Sequence, residues 1–171
     1  KEYADNYKVG IRELEKLVKD YFDDDGFPLT RNPSDLIFFS KYLLLCKECI
    51  KDAQGYIPDF LDTIIDKNLD CIKNILTPGE NVPLFNGGIE DNLEGFNKFI
   101  NKLEYKPKNK KNNIGGIHTL NFKNQTVFFD TGEPPRKGFS QSYQSGPLSF
   151  EYYMEGQKII TNCGFGLNIS P

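Results

Sequence analysis

The chain is 171 residues long, with 24 acidic and 21 basic side chains and one His, for a formal net charge of −3. That length allows one domain or two small ones, and the slight acidic excess argues against a general binder of nucleic acid or of anionic membrane surfaces, which carries a basic surplus. Hydrophobic residues are 38% and aromatics 13%, with 14 Phe and 9 Tyr, enough apolar material for a core and far more than a disordered chain holds.

No apolar run approaches the ~18 residues of a membrane span, so none is expected in this piece. The sequence starts at Lys1, inside a charged helical pattern, and stops at Asn168-Ile169-Ser170-Pro171 after a strand-like segment. It reads as an internal piece of a longer protein, so the absence of a visible signal peptide excludes no compartment. Compartment and oligomeric state are left open.

Residues 7–22 carry Ile11, Leu14, Leu17, Val18 and Tyr21 at three- and four-residue steps, which predicts a helix ended by Asp23-Asp24-Asp25-Gly26. A second helix is predicted from Ser34 to Ala53, with Leu36, Phe39, Leu43, Cys46 and Ile50 on one face. Ile37, Leu44 and Leu45 widen its stripe toward burial on two sides. A third starts near Pro58, in its first turn, and runs to Leu76. The second and third make an antiparallel hairpin. A Gly-, Asn- and Pro-rich loop over 79–92 precedes a short helix with Leu93, Phe96, Ile100 and Leu103 on one side.

Composition then breaks. Residues 106–113, from Lys106-Pro107 to Asn112-Asn113, have no apolar residue besides Pro and read as a solvated linker or hairpin tip. Beyond it the period becomes that of strands: 114–122, 126–130, 148–154 and 158–162, read as two antiparallel hairpins. The chain is therefore expected to be segregated α+β, with helices over 1–105 and strands over 114–171. Four strands without closing partners leave open edges, in line with a piece of a larger fold.

Cys46 and Cys49 form a CxxC, but within an apolar helical run, with no second CxxC and one His in the chain. They and Cys71 are expected to be small buried side chains. Gly87-Gly88 and Gly115-Gly116 lack phosphate-loop spacing, and Asp23-Asp24-Asp25 lacks EF-hand spacing. No metal or cofactor is expected. Asn124-Gln125-Thr126 and Asn168-Ile169-Ser170 fit glycosylation triplets.

Three loops place polar groups at the ends of regular elements: 26–33, 83–88 and 139–147. Arg31, with its planar fork, and Asn32, with its amide, suit a carboxylate, or else a surface ion pair and a helix cap. Asn86 before Gly87 suits a turn. Tyr143 suits a proton donor or acceptor, or a packed ring.

The order of these motifs resembles the heparinase II/III-like family. The likeness runs from Asp25-Gly26 and Arg31-Asn32-Pro33 through Val82-Pro83-Leu84-Phe85-Asn86-Gly87. It is densest in Thr126-Val127-Phe128-Phe129-Asp130-Thr131-Gly132-Glu133-Pro134-Pro135, and ends with Gly146-Pro147-Leu148-Ser149-Phe150-Glu151 and Ile159-Ile160-Thr161-Asn162-Cys163-Gly164. The resemblance implies the last helices of an α/α toroid followed by the first strands of an antiparallel β-sandwich. It implies a polysaccharide lyase that cleaves a uronate-containing, anionic polysaccharide by β-elimination, in the periplasm or outside the cell. On this resemblance Tyr143, Arg31 and Asn32 are the catalytic candidates, and Asn86, Gln144 and Glu151 the substrate-binding ones. The chain departs from the pattern where many members carry His: it has Pro28 in the first loop and Tyr143-Gln144-Ser145 before the Leu-Ser-Phe strand. Its single His118 matches no motif position. A non-catalytic glycan-binding or structural relative is the alternative, and an interaction domain without a site is a third reading.

Overall fold

Helix α1 (Glu2–Tyr21) lays Ile11, Leu14, Val18 and Tyr21 against the core, at the spacing expected of one helical face. The structure is a computed structural model and describes residues 2–102, 111–143, 146 and 148–162. The chain leaves α1 through an aspartate turn. Asp23 Oδ1 accepts from the backbone N–H of Asp25 at 2.9 Å and of Phe27 at 2.8 Å, and Gly26 closes the turn at φ +84°. A Cβ there would stand 2.5 Å from Lys67 Cβ, so only glycine lets the turn seat on the next helical layer.

Helix α2 (Pro33–Asp52) starts with Asn32 as its cap, Oδ1 accepting from Ser34 N–H at 2.9 Å, and with Pro33 in the first turn. Helix α3 (Asp59–Ile75) follows, with Pro58 as its cap position, just outside the turn in which the sequence reading puts it. Lys47 of α2 meets Asp62 of α3 at 2.7 Å across the hairpin. Helix α4 (Glu94–Lys102) buries Phe96 and Ile100; Leu103 lies outside the described residues.

Burial of α2 on two sides does not hold. Ile37 and Leu44 are buried, but Leu45, Phe38 and Tyr42 are each more than half exposed. Nor are the cysteines uniformly buried. Cys71 is, donating to the Asp25 carbonyl at 3.2 Å, its thiol pushed up by burial. Cys46 is half-buried and Cys49 exposed. Cys163 lies outside the described residues.

Five strands, rather than four in two hairpins, make one antiparallel meander ordered β1-β2-β3-β4-β5. They are β1 (Asn113–Ile114), β2 (Ile117–Phe122), β3 (Gln125–Asp130), β4 (Phe150–Met154) and β5 (Gln157–Ile160). The segment read as a single strand over 114–122 is broken by Gly115 and Gly116, at φ +55° and +78°. Positive φ at both central residues is what a two-residue hairpin turn of type I′ requires. The register pairs Ile117 with Asp130 and Phe128 with Glu151, so Asp130 and Glu151 share one face with Ile117 and Phe128. That face packs on the helices. Ile114, Ile117, Phe128 and Tyr153 join one buried cluster with Phe27, Leu36, Leu61, Ile72 and Phe85. Among the described residues, no helix is long and apolar enough to cross a membrane.

Candidate functional site

The three loops singled out in the sequence meet at the seam between helices and sheet. The first, between α1 and α2, puts Arg31 at φ +57°. Its guanidinium reaches across the seam: Nε donates to the Gly115 carbonyl at 3.0 Å, Nη1 to the Glu133 carbonyl at 2.8 Å, and Nη2 to the Asp130 carboxylate. The pair is buried, with 11% of the Arg31 side chain and 3% of the Asp130 side chain exposed. The slot is built for it. A Cβ on Gly132 would lie 2.3 Å from Arg31 Nη2, and one on Gly116 2.7 Å from the same atom. The carboxylate that Arg31 grips in this structure is thus Asp130. Three of its five N–H groups are taken by the chain itself.

Asn32 is also occupied locally, as the buried cap of α2. The second loop, between α3 and α4, turns at Asn86, at φ +54°. Asn86 is buried, and Nδ2 donates to the Arg31 carbonyl at 3.0 Å. That bond sets the orientation of the amide, because a carbonyl accepts only from its NH₂ side. Oδ1 is buried, with no hydrogen-bond partner among the described residues.

The third loop, between β3 and β4, approaches from the other side. The ideal Cβ of Gly87 falls 2.3 Å from the Ser142 carbonyl oxygen, so Asn86-Gly87 is in backbone contact with the residue before Tyr143. Tyr143 is half-buried, its N–H donating to the Ser140 carbonyl at 3.2 Å. Gln144 lies outside the described residues. Arg31, Asn32, Asn86 and Tyr143 therefore come from three distant stretches into one region.

Glu151 does not open onto that region. It is fully buried on the inner face of β4, with both carboxylate oxygens engaged. Oε1 accepts from the N–H groups of Leu84 and Asn162, each at 3.3 Å, and meets Lys158 Nζ at 3.2 Å. Oε2 accepts from Tyr153 at 2.9 Å. Burial first, and the Glu151 carboxylate second, push the Tyr153 phenol well above its ordinary value. In place of the substrate contact expected of Glu151, the structure shows a tie between the sheet and the Leu84 loop, by a carboxylate that is fully buried and bonded within the chain at both oxygens.

The residue the sequence reading passed over is Asp130. The signal was there: in Val127-Phe128-Phe129-Asp130 it occupies the same face as Phe128, a core position where a carboxylate needs a partner. Beside Arg31 opens a cavity of about 570 Å³, whose lining includes Asp23, Asp25, Glu133, Arg136 and Phe139. Among the described residues, no group of three or more His, Cys, Asp and Glu is arranged to hold a metal ion.

Residues 106–170 match a family model described as heparinase II/III-like, C-terminal. No curated protein sequence matches the chain. Among solved structures, the chain is similar to the heparan sulfate lyase HepC from Pedobacter heparinus, with a TM-score of 0.73 and 17% identity over 92% of this chain and 28% of that one. A mutant of the same lyase aligns with a TM-score of 0.68, also at 17% identity, over 91% of this chain and 28% of that one. This chain thus spans little more than a quarter of the length of that lyase. The family match thus covers the C-terminal part of the chain, and the structural matches carry a likeness of fold.

Proposed function

We propose that the protein, in its complete form, is a heparinase II/III-like polysaccharide lyase that cleaves a uronate-containing, anionic polysaccharide by β-elimination. Residues 1–105 are read as the end of an α/α toroid, 106–113 as the connection, and 114–171 as the start of a β-sandwich. The observation that carries the reading is the convergence of the loops around Arg31, Asn86 and Tyr143, three distant stretches of sequence joined by a side-chain hydrogen bond and a backbone contact.

The chemistry needs three things in one place. The uronate carboxylate must be neutralised so that negative charge can build on it, which preorganised donors do best. The proton at C5 must be removed. The glycosidic oxygen at C4 must receive a proton as the C4–O bond breaks and the C4–C5 double bond forms. Tyr143 is assigned both proton transfers: its phenolic oxygen takes the proton from C5 as its own proton passes to the leaving glycosidic oxygen. Asn86 and Asn32 are assigned to the carboxylate, through amide N–H groups. Arg31, anchored to Asp130, is assigned to the same uronate carboxylate through the two N–H groups that its bonds to the chain leave over. Gln144 is assigned to substrate contact beside Tyr143.

The test uses the complete protein on a panel of uronate polysaccharides, following the ultraviolet absorbance of the new C4–C5 double bond. A rise with one polymer, lost in Tyr143→Phe, supports the assignment; full activity in Tyr143→Phe removes the phenol from proton transfer. A second reading, a non-catalytic glycan-binding relative, is favoured by Pro28 and Tyr143-Gln144-Ser145 where many members carry His. Binding of one polymer without any absorbance change in well-folded protein would select it.

A further inference from the structure

We infer that Asp130 is a positioning residue for the candidate site: through Arg31 it sets the Asn86 amide. The inference rests on the assignment of Asn86 to substrate contact, but its physical part stands on this structure alone. Asp130 closes β3 and is 2% exposed. Its own backbone is held on both sides, N–H to the Ser149 carbonyl and C=O from the Leu148 N–H, each at 2.9 Å. Its Oδ1 also accepts from the Gly132 N–H at 3.3 Å. The carboxylate is therefore a fixed point on a rigid element, as a site support should be.

The Arg31 guanidinium is held to that point, flanked by Gly116 and Gly132. Arg31 itself sits at φ +57°, a conformation a non-glycine residue holds only when its surroundings enforce it. Its side chain and its main chain are thus coupled. If the guanidinium loses its anchor, the strained backbone has reason to relax, and with it the carbonyl that accepts from Asn86 Nδ2. Asn86 takes the same left-handed conformation, at φ +54°, which asparagine tolerates. The order of control runs from a sheet carboxylate to a helix-layer arginine, to a main-chain carbonyl, to a site amide.

The experiment compares the complete wild-type protein with Asp130→Asn, Asp130→Glu and Gly132→Ala. Asp130→Asn removes the charge that holds Arg31. Gly132→Ala leaves Asp130 in place and pushes a methyl into the guanidinium. It serves where Asp130→Asn fails to fold. Hydrogen exchange of the peptides covering 28–33 and 82–88 is read against a peptide from α3. Exchange in those two peptides is expected to rise about tenfold or more with α3 unchanged, and Asp130→Glu to restore part of the protection. Where the protein is active, kcat is expected to fall about 100-fold, the effect of a displacement of about 1 Å in a reacting group, with little change in KM. Unchanged exchange at 82–88 in folded Asp130→Asn or Gly132→Ala overturns the inference. The exchange readout needs no substrate, so an inactive wild type would count against the lyase reading while leaving this test intact.

Discussion

The two faces of the sheet differ in where their polar and apolar groups sit. The inner face carries Thr119, Asp130, Glu151 and Tyr153 among Ile117 and Phe128, and is buried. The outer face carries Leu120, Phe122, Phe150, Met154 and Ile160, and is exposed. On the inner face both carboxylates have named partners: Asp130 takes Arg31, while Glu151 takes Leu84, Asn162, Tyr153 and Lys158. Polar groups there do the connecting, binding helix-layer loops to strands with directional bonds that apolar packing cannot supply. The outer face is apolar yet uncovered by the described residues, a surface of the kind that a second sheet would bury in a sandwich.

The largest effect should come from breaking an inner-face connection. Glu151→Ala leaves the Leu84 and Asn162 N–H groups and Lys158 without their acceptor, and should cost about 3–5 kcal/mol, as removing one partner of a buried ion pair does. Chemical denaturation of the chain checks it; a loss below 1 kcal/mol would mean water replaces the carboxylate. Phe128→Ala, fully buried on the same face, should cost about 3–5 kcal/mol by transfer and cavity terms together, read from the same denaturation midpoint.

A pH series sharpens the comparison. In the unfolded chain a tyrosine ionises near pH 10.0, whereas burial and Glu151 keep the Tyr153 proton bound in the fold well above that. Burial and the Asp35 carboxylate push Tyr21 up to about 12. The folded state then binds more protons than the unfolded one above pH 10, so stability is full below that pH and falls as pH rises. Tyr153→Phe and Tyr21→Phe should each flatten the slope of denaturation midpoint against pH above 10; an unchanged slope would place the loss elsewhere. The smallest effect is expected on the outer face, where Phe122→Ala should shift stability of the 171-residue chain by no more than about 0.5 kcal/mol. The same change in the complete protein should cost about 2 kcal/mol or more if a second sheet covers the ring; equal, small values in both would count against the sandwich.

The helices were legible because their apolar periodicity and end signals are local. Asn32 suits a helix cap in the sequence and caps the helix that begins at Pro33. The strands were legible as extended segments, but Gly115-Gly116 was read through as part of a strand, because its demand for positive φ shows only when the two flanking strands pair back on each other. The site was legible in part. The three loops could be named from polar residues at element ends, whereas what those residues touch could not. Arg31 looks like a free clamp until Asp130, 99 residues away, is seen to fill it.

Glu151 shows where the line falls. Its strand alternates in sequence, with Phe150, Tyr152 and Met154 against Glu151 and Tyr153, and the structure keeps that alternation. The face turned inward is nonetheless the one with the carboxylate. Period 2 determines which residues share a face, because successive side chains of a strand point to opposite sides. Which face is buried depends on long-range partners, here the Leu84 N–H and Lys158, whose bonds offset the desolvation of Glu151. The sequence alone determined the helices, the extended segments and the three polar loops. Tertiary structure decided the facing of the sheet and the occupants of Arg31 and Glu151, since a buried charge is stable only where distant parts of the chain bring its partners to it.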